Sequence, residues 1–424
     1  GLTMSTNRRE FLKFAGLAAA GCVALQAMPR QVSASVWQMI NAVEAQNSDA
    51  IIVAINLDGG NDGLNTIVPV SDAQYNLYER LRPNLKIPRD QILRLSDNNQ
   101  YGFNPVMAEL RDLYEQGNVA IVAGVGVPHD SKSKFDHAAG IYDFVSADPY
   151  HQNFHSARRT GWLGRAIDGV NPGVVPPGVD FGGGGLLLIG NRHKPLSLGS
   201  ISDIQVFAGG EALTAYLDIM KIERPDSPVA ELNRALRKQA VETGGAIREM
   251  TKDYTPRATY PRENPLAEAL QDVARVIWAN MGARGFSVAL GGFDTHRGQN
   301  ANNFHFGLLK LFSDAVTAFY RDLRAQGLSQ KVVCVTISDF GRRPEENANR
   351  GTDHGYANVC FVIGDRVKKG MWGQYPSLER EKLVFGANLD VTTDYRAVFA
   401  TILARHLDVD PQPVAGVSQT LGFM

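Results

Sequence analysis

Cysteine is scarce in this chain: Cys22, Cys334 and Cys360 are the three in 424 residues. That number excludes a disulfide framework, and their positions give no C-x-x-C pair of the kind a structural zinc site uses. Cys334 and Cys360 fall in apolar, strand-like runs where a small buried thiol is expected, and a bond between them is left open. Charge imbalance is missing too. The 43 Lys and Arg against 44 Asp and Glu leave a formal charge of −1, and no basic block follows the first 34 residues. Nucleic acid is therefore not expected as a partner. No apolar run reaches the ~20 residues that a membrane span requires. No repeat of solenoid period is present either. What remains, 44% hydrophobic and 21% charged residues, is ordinary for a soluble globular protein with room for one large domain or two.

The beginning of the chain reads as a leader. From Met4 it runs S-T-N-R-R-E-F-L-K, then a modest apolar stretch over 14–28, then Val32-Ser33-Ala34. Paired arginines, a short apolar region and small residues at the cleavage position describe a twin-arginine export signal over 1–34. Residues 35–49 then read as a linker and 50–424 as the mature domain. The expectation is a periplasmic or secreted protein with the twin-arginine export machinery as a partner and no stable membrane anchor.

Short buried-strand patterns recur through the mature part, each running into a polar or glycine-rich loop. The pattern I-I-V-A-I-N-L-D at 51–58 ends in Asp58 and G-G-N-D-G-L-N. A strand over 119–127 empties into P-H-D-S-K-S-K-F and a helix-like run over 135–144, so that Ser131 or Ser133 would sit where helix N–H groups favour an anion. A strand at 286–290 ends in G-G-F-D-T-H. Its Asp294 and His296 are two apart in extended chain, able to point the same way as ligands of one metal. The run V-V-C-V-T-I at 332–337 stops at Ser338-Asp339 and is followed by dense charge up to His354. In open α/β sheets ligands bind beyond the carboxyl ends of strands, where all these side chains would stand.

Helices are expected from Asn104-Pro105 to Gly117, from Asn264-Pro265 onward, over 303–326 and over 395–406. Residues 186–189 (L-L-L-I) read as a strand after a glycine run. The stretch 146–260 reads as an insertion or cap.

This order of acids, hydroxyl and imidazoles resembles the alkaline phosphatase, phosphoglycerate mutase and sulfatase superfamily. More narrowly it resembles the DUF1501-type family of exported bacterial proteins. The motifs that carry the likeness are G-G-N-D-G-L-N (59–65), G-W-L-G-R (161–165), G-G-F-D-T-H (291–296), S-D-F-G-R-R (338–343) and G-T-D-H-G (351–355). The resemblance implies an alkaline-phosphatase-like three-layer α/β sandwich with a mostly parallel central sheet and helices on both faces. It implies one or two divalent metal ions, zinc, manganese or calcium: one held by Asp294, His296 and His354, a second by Asp58 and Asp339. Phe340 stands where two-metal members carry a histidine. Ser131, or next Ser133, is the implied nucleophile, Arg342 or Arg343 a clamp for the anionic ester, Asn61 a donor to its oxygen, and Asp353 a metal ligand or a support for His354. The function implied is hydrolysis of a phosphate or sulfate ester on a small molecule or glycan. The alternative is a non-catalytic periplasmic metal-containing protein that binds a polyanion or polysaccharide.

Overall fold

The computed structural model describes residues 49–131, 135–156, 159–202 and 243–424. Residues 1–48, where a leader is expected, and Ser133 lie outside the described residues. Strand β1 (Ile51–Leu57) is buried throughout and sits at the centre. Its odd residues Ile51, Val53, Ile55 and Leu57 enter one apolar core, and Ile52 and Ala54 enter another on the opposite face. This two-sided burial is why the run is apolar without alternation.

The remaining strands, in chain order, are β2 (Ile67–Pro69), β3 (Leu93–Arg94), β4 (Tyr101–Phe103), β5 (Val119–Gly126), β6 (Gly178–Phe181), β7 (Leu196–Ser197) and β8 (Gly285–Leu290). They continue with β9 (Val332–Ile337), β10 (Gly341–Glu346), β11 (Thr352–Gly355), β12 (Asn358–Ile363), β13 (Gly370–Trp372) and β14 (Thr393–Asp394). Nine of them form one sheet in the order β13-β5-β12-β9-β1-β8-β6-β7, with β14 added to β5. Pairing is parallel except at β12, which runs antiparallel to both β5 and β9. Helices Ala108–Glu115, Pro265–Trp278 and Phe304–Ala325 supply one core, and helices His137–Ser146, Trp162–Ala166 and Tyr395–Ile402 the other. The three-layer α/β architecture is as expected. Strands β6 and β7 lie within 146–260, yet they extend the central sheet.

Three local expectations are corrected. The helix after Asn104 begins at Ala108, because the Asn104 amide donates to the Asn65 carbonyl (2.7 Å) and its Oδ1 accepts from Val106 in a preceding turn. The leucines at 186–188 lie in the 3-10 turn Gly185–Leu188 and not in a strand; Leu187 and Leu188 are buried against the sheet. A short apolar run does not by itself distinguish the two. The last helix ends at Ile402 and continues as a π turn, Leu403–Leu407. Cys334 and Cys360 are both free and buried, and burial pushes each thiol up to about 12.

Asp62, in the loop after β1, forms a fully buried ion pair with Arg82 (2.6 Å). Arg82 also donates to the backbone carbonyls of Arg343 and Pro344, so it joins that loop to β10. Burial opposes charge on Asp62, but the charge and hydrogen bonds of Arg82 outweigh it and hold the carboxyl below its ordinary value. Removing one partner of such a pair costs ~3–5 kcal/mol, so Arg82→Met should lower unfolding free energy by that amount in a denaturant titration. Because the folded-state value is depressed, the pair's contribution is complete above the unfolded value of 3.8 and is lost as pH falls through the folded value. Stability measured against pH should therefore fall more steeply below about pH 4 in the native protein than in Arg82→Met.

Candidate metal centre

Four chain segments meet beyond the carboxyl ends of β1, β5, β8 and β9. The β1 loop turns at Gly59, whose φ of +112° suits glycine, and a Cβ there would lie 2.4 Å from the Asp294 backbone nitrogen. That contact brings the β8 loop alongside. Beyond β9, Asp339 and Phe340 lead into β10, which forms an antiparallel ribbon with β11 in the register Arg342 opposite His354. The fourth segment is the start of helix His137–Ser146, capped by Asp136, which accepts from the Ala139 amide.

His137, Asp294 and His354 each offer an atom within 4.8 Å of the others. His296 joins them, its Nε2 2.8 Å from His354 Nε2 and 3.1 Å from Asp294 Oδ1. The other ring nitrogen of each imidazole is engaged with oxygen. His354 Nδ1 lies 2.7 Å from the Phe135 carbonyl, His296 Nδ1 lies 3.2 Å from Asp353 Oδ1, and His137 Nδ1 lies 2.6 Å from Asp339 Oδ2. Those oxygens accept only, so in the neutral rings the protons sit on Nδ1 and every Nε2 carries a lone pair. With both Nε2 atoms unprotonated, 2.8 Å apart and beside a carboxylate, the arrangement is one that a cation among them would relieve. The donor set fits a divalent metal, with three histidines tied down from behind as metal-ligating histidines characteristically are.

The charges around the cluster are set by their neighbours. Burial raises the carboxyl of Asp294, but the Arg342 hydrogen bond and then that of His354 outweigh it and hold it below the ordinary range. Burial, with Asp58 acting in the same direction, pushes Asp339 upward against the His137 hydrogen bond. At His354 burial is the largest influence and lowers the value. The Asn347 amide holds Asp353 down. Phe340 packs its ring 4.2 Å from that of His354 and 4.9 Å from that of His137, closing the apolar side of the cluster.

Asp294, His296 and His354 thus lie together. Asp339 reaches the centre through His137: its Oδ1 accepts from the Gly59 amide and its Oδ2 from His137, which leaves it an orienting group in place of a direct ligand. Asp353 supports His296 in place of His354, and Asn347 donates to both the Asp353 carboxylate and the His296 carbonyl. Asp58 is exposed, near enough to Asp339 to act on its charge, and outside the one ligand cluster found among the described residues.

Arg342 is 1% exposed and is no free clamp. Its guanidinium donates to the carbonyls of Gly59, Gly60, Phe293 and Thr352 and to Asp294 Oδ1. Asn61 is equally committed, its amide bonded to Thr66 and His305 inside the fold and its backbone N–H to Ser338 Oγ. Arg343 differs: it is half-buried, and its Nε has no partner among the described residues. Ser131 is buried in the loop between β5 and the His137 helix. Sequence reasoning missed His137. The available signal was an imidazole in the first turn of a helix that follows a sheet strand, overshadowed by the serines just before it.

Comparison with curated proteins gives no match. Among solved structures, the lipoteichoic acid synthase LtaP from Listeria monocytogenes is similar at 9% identity, covering 84% of this chain and 81% of that one, with a TM-score of 0.37. The PsFucS1 sulfatase from Pseudoalteromonas sp. matches at 10% identity over 81% of this chain and 68% of its own, TM-score 0.36. The phosphonate monoester hydrolase of Agrobacterium radiobacter matches at 10% identity over 87% and 77%, TM-score 0.35. Residues 216–417, the stretch that supplies Asp294, His296, Asp339 and His354, match the model of the family described as protein of unknown function (DUF1501).

Proposed function

We propose that this chain is an exported, metal-dependent hydrolase of phosphate or sulfate esters. The observation that carries the reading is the convergence of His137, His296 and His354 on the Asp294 carboxylate, each ring held from behind by an oxygen acceptor. Nitrogen-rich sets of this kind favour zinc over calcium, which takes oxygen ligands. When bound, such an ion supplies Lewis acidity toward an ester oxygen and activates water as a nucleophile.

The chain's own groups do the rest. Asp339 keeps the proton of His137 on Nδ1 and so keeps Nε2 turned to the centre. Arg342 fixes Asp294 Oδ1 at 2.7 Å and draws the three loops together. Asp58 is exposed at the rim, near Asp339. Arg343, half-buried and close enough to Asp353 to act on its charge, is the arginine of this segment left to meet an anionic ester. Ser131 lies on the loop that delivers His137 and remains the preferred nucleophile, with Ser133 next.

Metal analysis of the purified protein should find a bound divalent ion, and nitrophenyl phosphate, phosphodiester or sulfate should be turned over. His137→Ala and Asp294→Ala should each strip the metal and lower turnover by ~100-fold or more. Bound metal with no turnover on any of these esters would instead favour a metal-containing binding protein. Asp339→Asn should weaken metal affinity ~10–100-fold without abolishing binding, because it disturbs a ligand's orientation and not the ligand set. Ser131→Ala should lower turnover ~100-fold with metal content unchanged; a retained rate would remove it from the reaction.

A further inference from the structure

Each of the two motifs that supply His296 and His354 also carries a threonine: Asp294-Thr295-His296 and Thr352-Asp353-His354. Both threonines are buried, and their hydroxyls meet at one atom. Thr295 Oγ1 donates to Gln299 Oε1 (3.0 Å), and Thr352 Oγ1 donates to the same oxygen (2.8 Å). Gln299 is itself fully buried, and its amide nitrogen donates to Asp62 Oδ2 (2.5 Å). An ionised carboxylate only accepts, so the nitrogen must face Asp62 and the oxygen must face the threonines. An amide oxygen has two lone pairs, and both are used here, one for each motif.

The two segments also touch along their backbones. Thr352 N–H donates to the Thr295 carbonyl (3.1 Å), Gly298 N–H to that of Asn349 (2.9 Å) and Gln299 N–H to that of Arg350 (2.9 Å). At Gly351 a Cβ would lie 2.2 Å from the His296 backbone carbon, so no side chain fits between them. The backbone bonds bring the segments together, and the hydroxyl bonds limit how each turns about its own axis. Thr295 stands between Asp294 and His296, so pinning its side chain restrains both. Thr352 lies two residues before His354 and so on the same face of β11. Behind Gln299, Asp62 is held in turn by Arg82. We propose that Gln299 is a positioning residue of the metal centre. Through the two hydroxyls it holds the loop of Asp294 and His296 against the strand of His354, and through Asp62 it ties both to the buried pair with Arg82. This deepens the hydrolase reading and rests on its metal centre, not on the bond that is cleaved.

The test is the zinc affinity of the intact protein, measured by competition with a chromophoric chelator, alongside Tm of the zinc-free form. Thr295→Val and Thr352→Val keep the branched shape of threonine and remove only the hydroxyl, and each should weaken zinc binding about tenfold. Gln299→Met removes acceptor and donor together and should weaken it ~10–100-fold. Thr295→Ser and Thr352→Ser retain the hydroxyl and should bind zinc as the native protein does. A role confined to holding the fold would lower Tm and leave the zinc affinity of the folded variants unchanged. That result, or serine variants as weak as the valine ones, would overturn the proposal. Should Gln299→Met fail to fold, the comparison of valine with serine decides. Failure of the hydrolase reading looks different: zinc affinities would still fall in this order while nitrophenyl esters were left intact. A native protein that binds no zinc would overturn the centre and this proposal together.

Discussion

The arrangement of the centre depends on the buried guanidinium of Arg342. It donates to backbone carbonyls of the β1 loop (Gly59, Gly60), the β8 loop (Phe293) and β11 (Thr352), and to the carboxylate of Asp294. A planar fork of five N–H donors can satisfy carbonyls from several directions at once, which a lysine ammonium on a flexible stem does poorly. Burying that charge is costly, and it is tolerated here because the oxygens around it satisfy it and Asp294 neutralises it. Through this one side chain, loops more than two hundred residues apart in sequence hold a common geometry.

Around that hub the protein separates groups that can hold a cation from groups that aim them. His137, His296 and His354 each give one ring nitrogen to an oxygen acceptor and turn the other toward Asp294. Asp339 and Asp353 act through those rings. The same logic extends outward, since Asp339 is itself held by the Gly59 amide and Asp353 by Asn347. A fully buried pair, Asp62 with Arg82, fastens the β1 loop to β10.

Much of the fold was legible in the chain because the information is local. Runs such as 51–57 and 332–337 are apolar on both faces, and Asn264-Pro265 supplies a helix cap that the structure uses, Asn264 Oδ1 accepting from Ala267. Where the local signal was ambiguous the reading failed, as with the leucines of 186–188, which form a 3-10 turn. The candidate site was legible to the extent that acids and imidazoles stand just beyond strand ends. It was not legible where a role depends on partners far along the chain. Arg342 and Asn61 carry the right donors for a substrate, but both are consumed by groups that only the fold brings near.

The sequence alone determined that Asp58, Asp294, Asp339 and their neighbours lie on one edge of an α/β sheet, because strand burial and the glycine turns that end strands are properties of short segments. The tertiary structure decided that His137 stands with Asp294, His296 and His354, and that Asp339 and Asp353 sit behind the rings of His137 and His296. Those assignments follow from which donor meets which acceptor across the fold, and a hydrogen bond between residues two hundred positions apart leaves no trace in the spacing of either.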